Sequence, residues 1–219
     1  MPDSYHHGNL KNDLIERGKE LILQNGIHDF SLRKLAAECN VSYAAPKNHF
    51  KDKDELIEAI INEISEEFTE HLRSIYSAHK DDNNLLVLLG EGYVDFFINR
   101  PNYLSLFFHE SAIQEKIKMK DDGSIESNFL PFTFFMDIAT KFLLDHGVTN
   151  EINECILSMW SLVHGISSIY TYSFFTYNGD ILELTKKILN QYVVANFQRS
   201  PLSHSENSCG KIKEKIDKQ

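Results

Sequence analysis

Apolar residues recur at helical spacing along almost the whole chain. Leu10, Leu14, Ile15, Leu21 and Ile22 mark one face of a first helix ending at Asn25-Gly26, and Gly18 on that face leaves room for close packing against the two short helices of residues 31–50. Ile27 and Phe30 extend this small core. Ser31 is placed to cap a second helix whose apolar face is Leu32, Leu35 and Ala36. That helix stops at Cys39-Asn40, where asparagine tolerates the left-handed conformation that closes a helix. Val41 then packs inward, and Ser42 is placed to cap a further helix running to about Phe50. Pro46, at its fourth position, has no N–H for the Ser42 carbonyl and should bend the first turn.

Asp52-Lys53-Asp54-Glu55 has the spacing of a capping box, and Leu56, Ile57, Ile60, Ile61, Ile64, Phe68, Leu72 and Ile75 follow at helical spacing. One long helix therefore belongs to both halves of the chain. Asp81–Asn84 breaks the pattern, Leu85 to Asn99 forms an apolar helix, and Pro101 opens a short one through Phe108. Lys116 to Ser127, polar and containing Gly123, reads as a flexible connection. Further helices are expected over Phe129–His146, Asn150–Thr176 and Ile181–Phe197, with turns at Gly147 and Tyr177–Asp180. No strand and no repeat is evident. The fold class is all-α: a three-helix domain at residues 8–60, joined by the long helix to a helical bundle at 61–198. The tail at 199–219 lacks apolar periodicity and is expected to be disordered.

Two helices joined by a tight turn at about 31–50 form a helix-turn-helix, and the second carries the chemistry of a DNA reader. Ser42 and Tyr43 bring hydroxyls to its N-terminal end, Ala44 allows close approach, and Lys47, Asn48 and His49 follow. Lysine neutralises phosphate, and asparagine bonds adenine in a bidentate manner. Arg33 and Lys34 on the preceding helix, and Lys53 at the positive end of the long one, complete the candidate DNA-binding set. The net charge of −10 at first speaks against such a partner. Its distribution reverses that: residues 1–56 hold eight Lys/Arg against nine Asp/Glu, while residues 57–197 hold nine against twenty. From Arg33 to Lys53 five basic residues face two acidic ones, so local charge favours DNA there.

The run F-S-L-R-K-L-A-A-E-C-N-V-S-Y-A-A-P-K-N-H-F-K-D-K-D-E-L, with Y-H-H-G-N-L upstream, resembles the N-terminal domain of TetR-family transcriptional regulators over about residues 5–60. The chain departs from the family at Asn40, where glycine is usual, and at Lys47, where tyrosine is common. W-S-L-V-H-G at Trp160–Gly165, with Y-V-D-F-F-I-N-R-P-N-Y-L-S-L-F-F at Tyr93–Phe108, is similar to a class of TetR-family C-terminal domains named for Trp-His-Gly. The resemblance implies a regulatory domain that dimerises through its last two helices and encloses a ligand pocket. The expected function is a homodimeric, ligand-responsive regulator, a repressor of a palindromic operator. Its partners are double-stranded DNA, a second copy of itself and a small lipophilic or aromatic effector. The alternative is a helical protein-interaction module whose helix-turn-helix no longer reads DNA.

The acidic half is dense in aromatic side chains, each of which serves either as core or as pocket wall. Tyr93, Phe97, Phe107, His109, Phe132, Phe135, Trp160, His164 and Tyr170 are the ligand-binding candidates, with His164 equally open to a role as a packed histidine at a helix crossing or dimer contact. Val163, Ile166, Leu184, Ile188 and Tyr192 are candidates for the dimer face, with Gly165 admitting a close neighbour. No catalytic residue, cofactor or metal is expected. His109-Glu110 is half of a zinc-protease motif, but Ile113 stands where the second histidine belongs. Cys39, Cys155 and Cys209 share no metal-ligand spacing and read as free thiols. With no apolar run near the ~18 residues of a membrane span and no leader pattern, no membrane association and a cytoplasmic location are expected.

Overall fold

The computed structural model describes residues 9–107, 117–172 and 175–197. Leu14, Ile22, Ile27, Phe30, Leu35, Phe50 and Leu56 lose nearly all solvent contact where α1 (Leu10–Asn25), α2 (Leu32–Glu38) and the start of α3 (Lys53–His79) meet. Such a core is small, and it leans on α3, whose first half buries Ile57, Ile60 and Ile61 as well. Gly18 serves this approach. A Cβ there would lie 2.6 Å from Ile60 Cδ1 and 3.7 Å from Phe30, so the glycine admits α3 before the helix-turn-helix it was expected to face.

The second half of α3 buries Phe68 and Leu72 against α4 (Leu85–Ile98). Helix α4 is apolar almost all round and is covered on its other sides by α7 (Ile152–Thr171) and α8 (Ile181–Phe197). Gly90 makes this possible, since a Cβ would meet Leu189 at 2.7 Å and Val163 at 3.2 Å. Short α5 (Pro101–Phe107) turns back onto α1, and α6 (Leu130–Asp145) packs on α3 and α7.

Three expectations are corrected. Residues 117–127, expected to be a flexible connection, form an antiparallel hairpin of β1 (Ile117–Met119) and β2 (Ile125–Ser127), with Ile117 opposite Ser127. The sequence that suggested flexibility closes its turn: Gly123 adopts φ 79°, the Asp122 carboxylate accepts from both the N–H and the hydroxyl of Ser124, and Asn153 of α7 donates to the Gly123 carbonyl at 2.9 Å. Helix α7 ends at Thr171, short of the expected Thr176. The predicted α-helix from Ser42 to Phe50 is instead a single 3₁₀ turn over Ala45–Asn48. The predicted tail at 199–219 lies outside the described residues, as do Phe108 and His109. Among the described residues no helix is long and apolar enough to cross a membrane, and no group of three His, Cys, Asp or Glu could hold a metal.

Candidate nucleic-acid interface and effector cavity

The helix-turn-helix is set by its terminations. Ser31 Oγ accepts from the N–H of Lys34 at 3.2 Å, capping α2. At the other end Asn40 sits at φ 53°, and the N–H groups of Asn40 and Val41 bond the carbonyls of Ala37 and Ala36 at 3.1 and 2.9 Å. This is the paired closure that a left-handed residue after a helix permits. Pro46 then decides the form of the next segment. It cannot donate to the Ser42 carbonyl, which accepts from the N–H of Ala45 instead, and the 3₁₀ pattern continues with Lys47 to Ala44 and His49 to Pro46. Phe50 N–H also reaches the Pro46 carbonyl. Asp52 caps α3 by accepting from Glu55 N–H at 2.9 Å, while the Glu55 carboxylate reaches past the cap to the N–H of Lys51.

This geometry separates two faces. Pro46 and Phe50 are buried, whereas Ser42, Tyr43, Ala44, Lys47, Asn48 and His49 all face solvent. Tyr43 is 57% exposed despite its size, with Lys47 Nζ 5.6 Å from its ring centroid. Arg33 and Lys34 are exposed near the start of α2, where Lys34 Nζ donates to the Asp29 carbonyl at 3.0 Å. Lys53, the first residue of α3, is half-buried with its Nζ 5.6 Å from the Phe30 ring. The structure adds Lys11, missed in the sequence reading, whose Nζ lies 5.6 Å from the ring of Phe50 at the end of the turn. Nothing local to Lys11 announces it, because the contact spans 39 residues of chain.

The aromatic candidates largely interlock. Phe68 meets Tyr93 at 5.1 Å and Phe97 at 4.9 Å, Phe97 meets Phe107 at 5.7 Å, and Trp160 is ringed by Tyr93, Phe132 and Phe135 at 5.0, 5.2 and 5.7 Å. One small cavity of about 30 Å³ remains between α4, α7 and α8. Tyr93, Phe135 and Trp160 line it with Leu86, Gly90 and Leu189. That volume holds about one water. Phe97, Phe107 and Phe132 stand in the packed core, off the cavity wall, and Tyr170 lies at the end of α7 against Phe175. His164 is tied to the cavity through Tyr93, whose hydroxyl is 3.1 Å from Nδ1, and its Nε2 is 3.3 Å from Ser168 Oγ. Burial holds the imidazole below its usual pKa and pushes the Tyr93 phenol far up, so at neutral pH both are uncharged.

Residues 14–60 match the family model described as bacterial regulatory proteins, tetR family. The N-terminal domain belongs to the TetR family. Solved structures extend the likeness in fold to 83–87% of the chain. A TetR-family transcriptional regulator from Pectobacterium atrosepticum superimposes with TM-score 0.62 at 14% identity, covering 87% of this chain and 95% of that one. A protein of unknown function from Rhodococcus sp. RHA1 gives TM-score 0.69 at 20% identity over 87% and 96%. The regulator FadR from Bacillus subtilis, solved in complex with stearoyl-CoA, gives 0.59 at 15% over 83% and 97%. No curated protein matches the chain. The chain thus has the DNA-binding domain and the fold of a TetR-family transcriptional regulator.

The TetR-family domain is clamped to the remainder at two points on α1. Lys19, almost fully buried, pairs with Glu67 of α3 and, at 3.1 Å, with Glu16. Burial pulls its pKa down, but the Glu67 and Glu16 carboxylates outweigh this and raise it overall. One turn further on, Asn102 of α5 donates to the Leu23 carbonyl at 2.9 Å. On the opposite side of the molecule, Val163 and Ile166 prove to be buried against the chain's own core, so they cannot form a dimer face. The outward side of α7 carries Gly165 and Ile169, with Tyr172 just past its end, and a Cβ at Gly165 would meet no atom within 4 Å. On α8, Leu184, Ile188 and Tyr192 are half-buried.

Proposed function

We propose that this chain is a homodimeric repressor of a palindromic operator, released by a small lipophilic or aromatic effector. The observation that carries the DNA assignment is the two-faced turn: Pro46 and Phe50 anchor it while six consecutive or near-consecutive polar and small residues face outward. Ser42, Tyr43 and Asn48 supply hydrogen bonds to base edges and Ala44 the clearance, while Arg33, Lys34, Lys47, His49 and Lys53 meet phosphates. Pairing the stripe Gly165–Ile169–Tyr172 at the end of α7 with α8 of a second copy gives a self-complementary apolar contact. Two turns then reach successive major grooves about 34–36 Å apart. The fold shared with a regulator solved with stearoyl-CoA supports a lipophilic effector. A cavity of about 30 Å³ is too small for one, so binding must part Phe135 and Trp160 and thereby favour a different arrangement of α4 and α7. The paired contacts of α1 with α3 and α5 are the route to the DNA-binding domain.

Selection of bound duplexes from a random pool tests this reading. It should enrich a palindrome, with Ile188→Asp abolishing both dimer sedimentation and enrichment. Lys53→Ala should weaken binding to all duplexes alike and lower the salt slope by about one unit. A pool that enriches nothing at any salt would support the interaction-module alternative.

A further inference from the structure

A second, larger recess lies away from the aromatic cavity, at the C-terminal end of α3. Its volume is about 560 Å³, and Tyr76 of α3 with Phe134 and Phe142 of α6 provide an aromatic floor. Tyr76 meets Phe134 edge-on at 6.2 Å, and His146 stacks on Phe142 at 4.0 Å. The rim is acidic: Asp81 and Asp82 from the α3–α4 connection and Asp137 and Asp145 from α6, against Lys80 and Lys141. Asp82 accepts from the N–H of Asn84, whereas Asp81, Asp137 and Asp145 make no ion pair among the described residues. The guanidinium of Arg73, 5.0 Å from the Phe134 centroid, shows that this ring already takes a cation. Aromatic floor and acidic rim together fit a peptide segment that alternates lysines with a few apolar side chains.

Such a segment lies in this chain. Lys211-Ile212-Lys213-Glu214-Lys215-Ile216-Asp217-Lys218 sets two isoleucines four residues apart among four lysines, and from Gln198 onward five bases stand against three acids. The helix leading to it, α8, runs toward the end of α4 whose first residue, Leu85, lines the recess. Helix α8 runs antiparallel to α4: Lys186 and Glu183 act on the charge of Glu91, Leu189 lies against Gly90, and Val193 shares the aromatic cavity with Leu86. Helix α8 continues for one more turn, to Phe197, in the direction of the α3–α4 connection whose Asp81, Asp82 and Asn83 line the recess. From there to Lys211 the chain spans up to about 45 Å, ample to reach every carboxylate of the rim.

We infer that residues Lys211–Lys218 dock in this recess of their own chain, the lysines on the carboxylates and the two isoleucines on the aromatic floor. Exposed ion pairs are individually weak, but a tether of this length holds the segment at an effective concentration on the order of millimolar. Docking ties the end of α8 to the ends of α3 and α6, and so braces the helix whose other end presents Lys53. It requires neither operator nor effector, and its failure leaves the proposed function untouched.

Cys209 provides the test. In the full chain with Cys39→Ala and Cys155→Ser, Asn83→Cys on the rim is oxidised in dilute protein at low salt, and disulfides are mapped by mass spectrometry. Lys141→Cys serves as a second, independent rim site. An intrachain link to Cys209 should form at least about five-fold faster than when the four lysines are replaced by glutamate, an advantage that about 0.5 M salt mostly removes. Equal rates with both tails would show that tethering alone brings the thiols together, and would overturn docking. Links formed only between chains would give the recess to a second copy and overturn it equally. In the unsubstituted protein, ending the chain after Phe197 should speed amide exchange across Asp137–Asp145 several-fold, and unchanged exchange would count against docking whatever the cysteine variants do.

Discussion

The DNA-binding domain and the aromatic half of this chain are specified by different kinds of interaction. In the first, geometry follows from backbone terminations: Ser31 and Asp52 as caps, Asn40 in the left-handed region, Pro46 forcing a 3₁₀ turn. In the second, it follows from rings that meet edge to face around Phe68 and Trp160, from residues up to 67 positions apart in sequence. Terminations fix where side chains point but bury little area. Ring packing buries much and leaves almost no space, yet its outcome depends on every partner at once. One half is therefore precise and marginal, the other robust and closed, and mutations should separate the two.

The largest effect is expected in the aromatic half. Trp160→Ala removes the ring at the centre of Tyr93, Phe132 and Phe135 and should cost about 3–5 kcal/mol in denaturant unfolding. A loss below about 1 kcal/mol would mean that neighbouring rings collapse into the space, and the half is less closed than it looks. Lys19→Met at the junction should cost about 1–2 kcal/mol, because it removes the charge-assisted bonds to Glu67 and Glu16, whose carboxylates are partly exposed and stay solvated. The raised pKa of Lys19 gives this a pH signature. Its stabilisation is present in full below the unfolded value of about 10.5 and is lost as pH rises through the folded value, so wild type and variant should converge in alkaline buffer. A constant difference would locate the effect in packing alone.

In the DNA-binding domain the expected cost is smaller and lies in the backbone. Asn40→Ala places a Cβ-bearing residue with no compensating side-chain bond at φ 53° and should lose about 1–2 kcal/mol, while Asn40→Gly should be neutral or stabilising. Thermal melts of the two variants decide it. Equal stability would show that the turn relaxes out of the left-handed region and that the closure is not what sets the face.

The same division explains what could be read in advance. Caps and the Asn40 closure involve residues within five positions of one another, so Ser31, Asn40, Asp52 and the whole helix order were legible. Pro46 was legible as a disturbance, but its missing N–H suits a bent α-helix as well as a 3₁₀ turn, and the burial of Phe50 that closes the segment is not visible in the local sequence. The hairpin at 117–127 was hidden because its polar turn is held by Asn153, thirty residues away. Density of aromatic residues marked the core of the second half correctly as aromatic, yet density does not say whether rings enclose a space or fill it. Val163 and Ile166 fell on the wrong side for a related reason: both faces of α7 are apolar, and the face that turns inward is the one whose Val163 meets Gly90 on the distant α4.

The smallest effect should come from His164, where the cavity meets a titratable group. Its Nδ1 lies 3.1 Å from the Tyr93 hydroxyl. Burial holds that phenol protonated across the working range, and in the pairing in which it donates Nδ1 is the unprotonated nitrogen. The N–H is then on Nε2, aimed at Ser168 Oγ at 3.3 Å. Protonating Nδ1 removes the acceptor and places a charge beside Trp160. Because burial lowers the folded pKa below the ordinary 6.5, the unfolded chain takes up the proton first. Stability is therefore complete above about pH 6.5 and falls as the pH drops below it. His164→Gln keeps an acceptor for Tyr93 and cannot titrate, so its melting temperature should stay flatter than that of the wild type between pH 7 and about 5. Parallel curves would mean that the acid limb belongs to other groups, and that the aromatic half is closed to protons as well as to bulk.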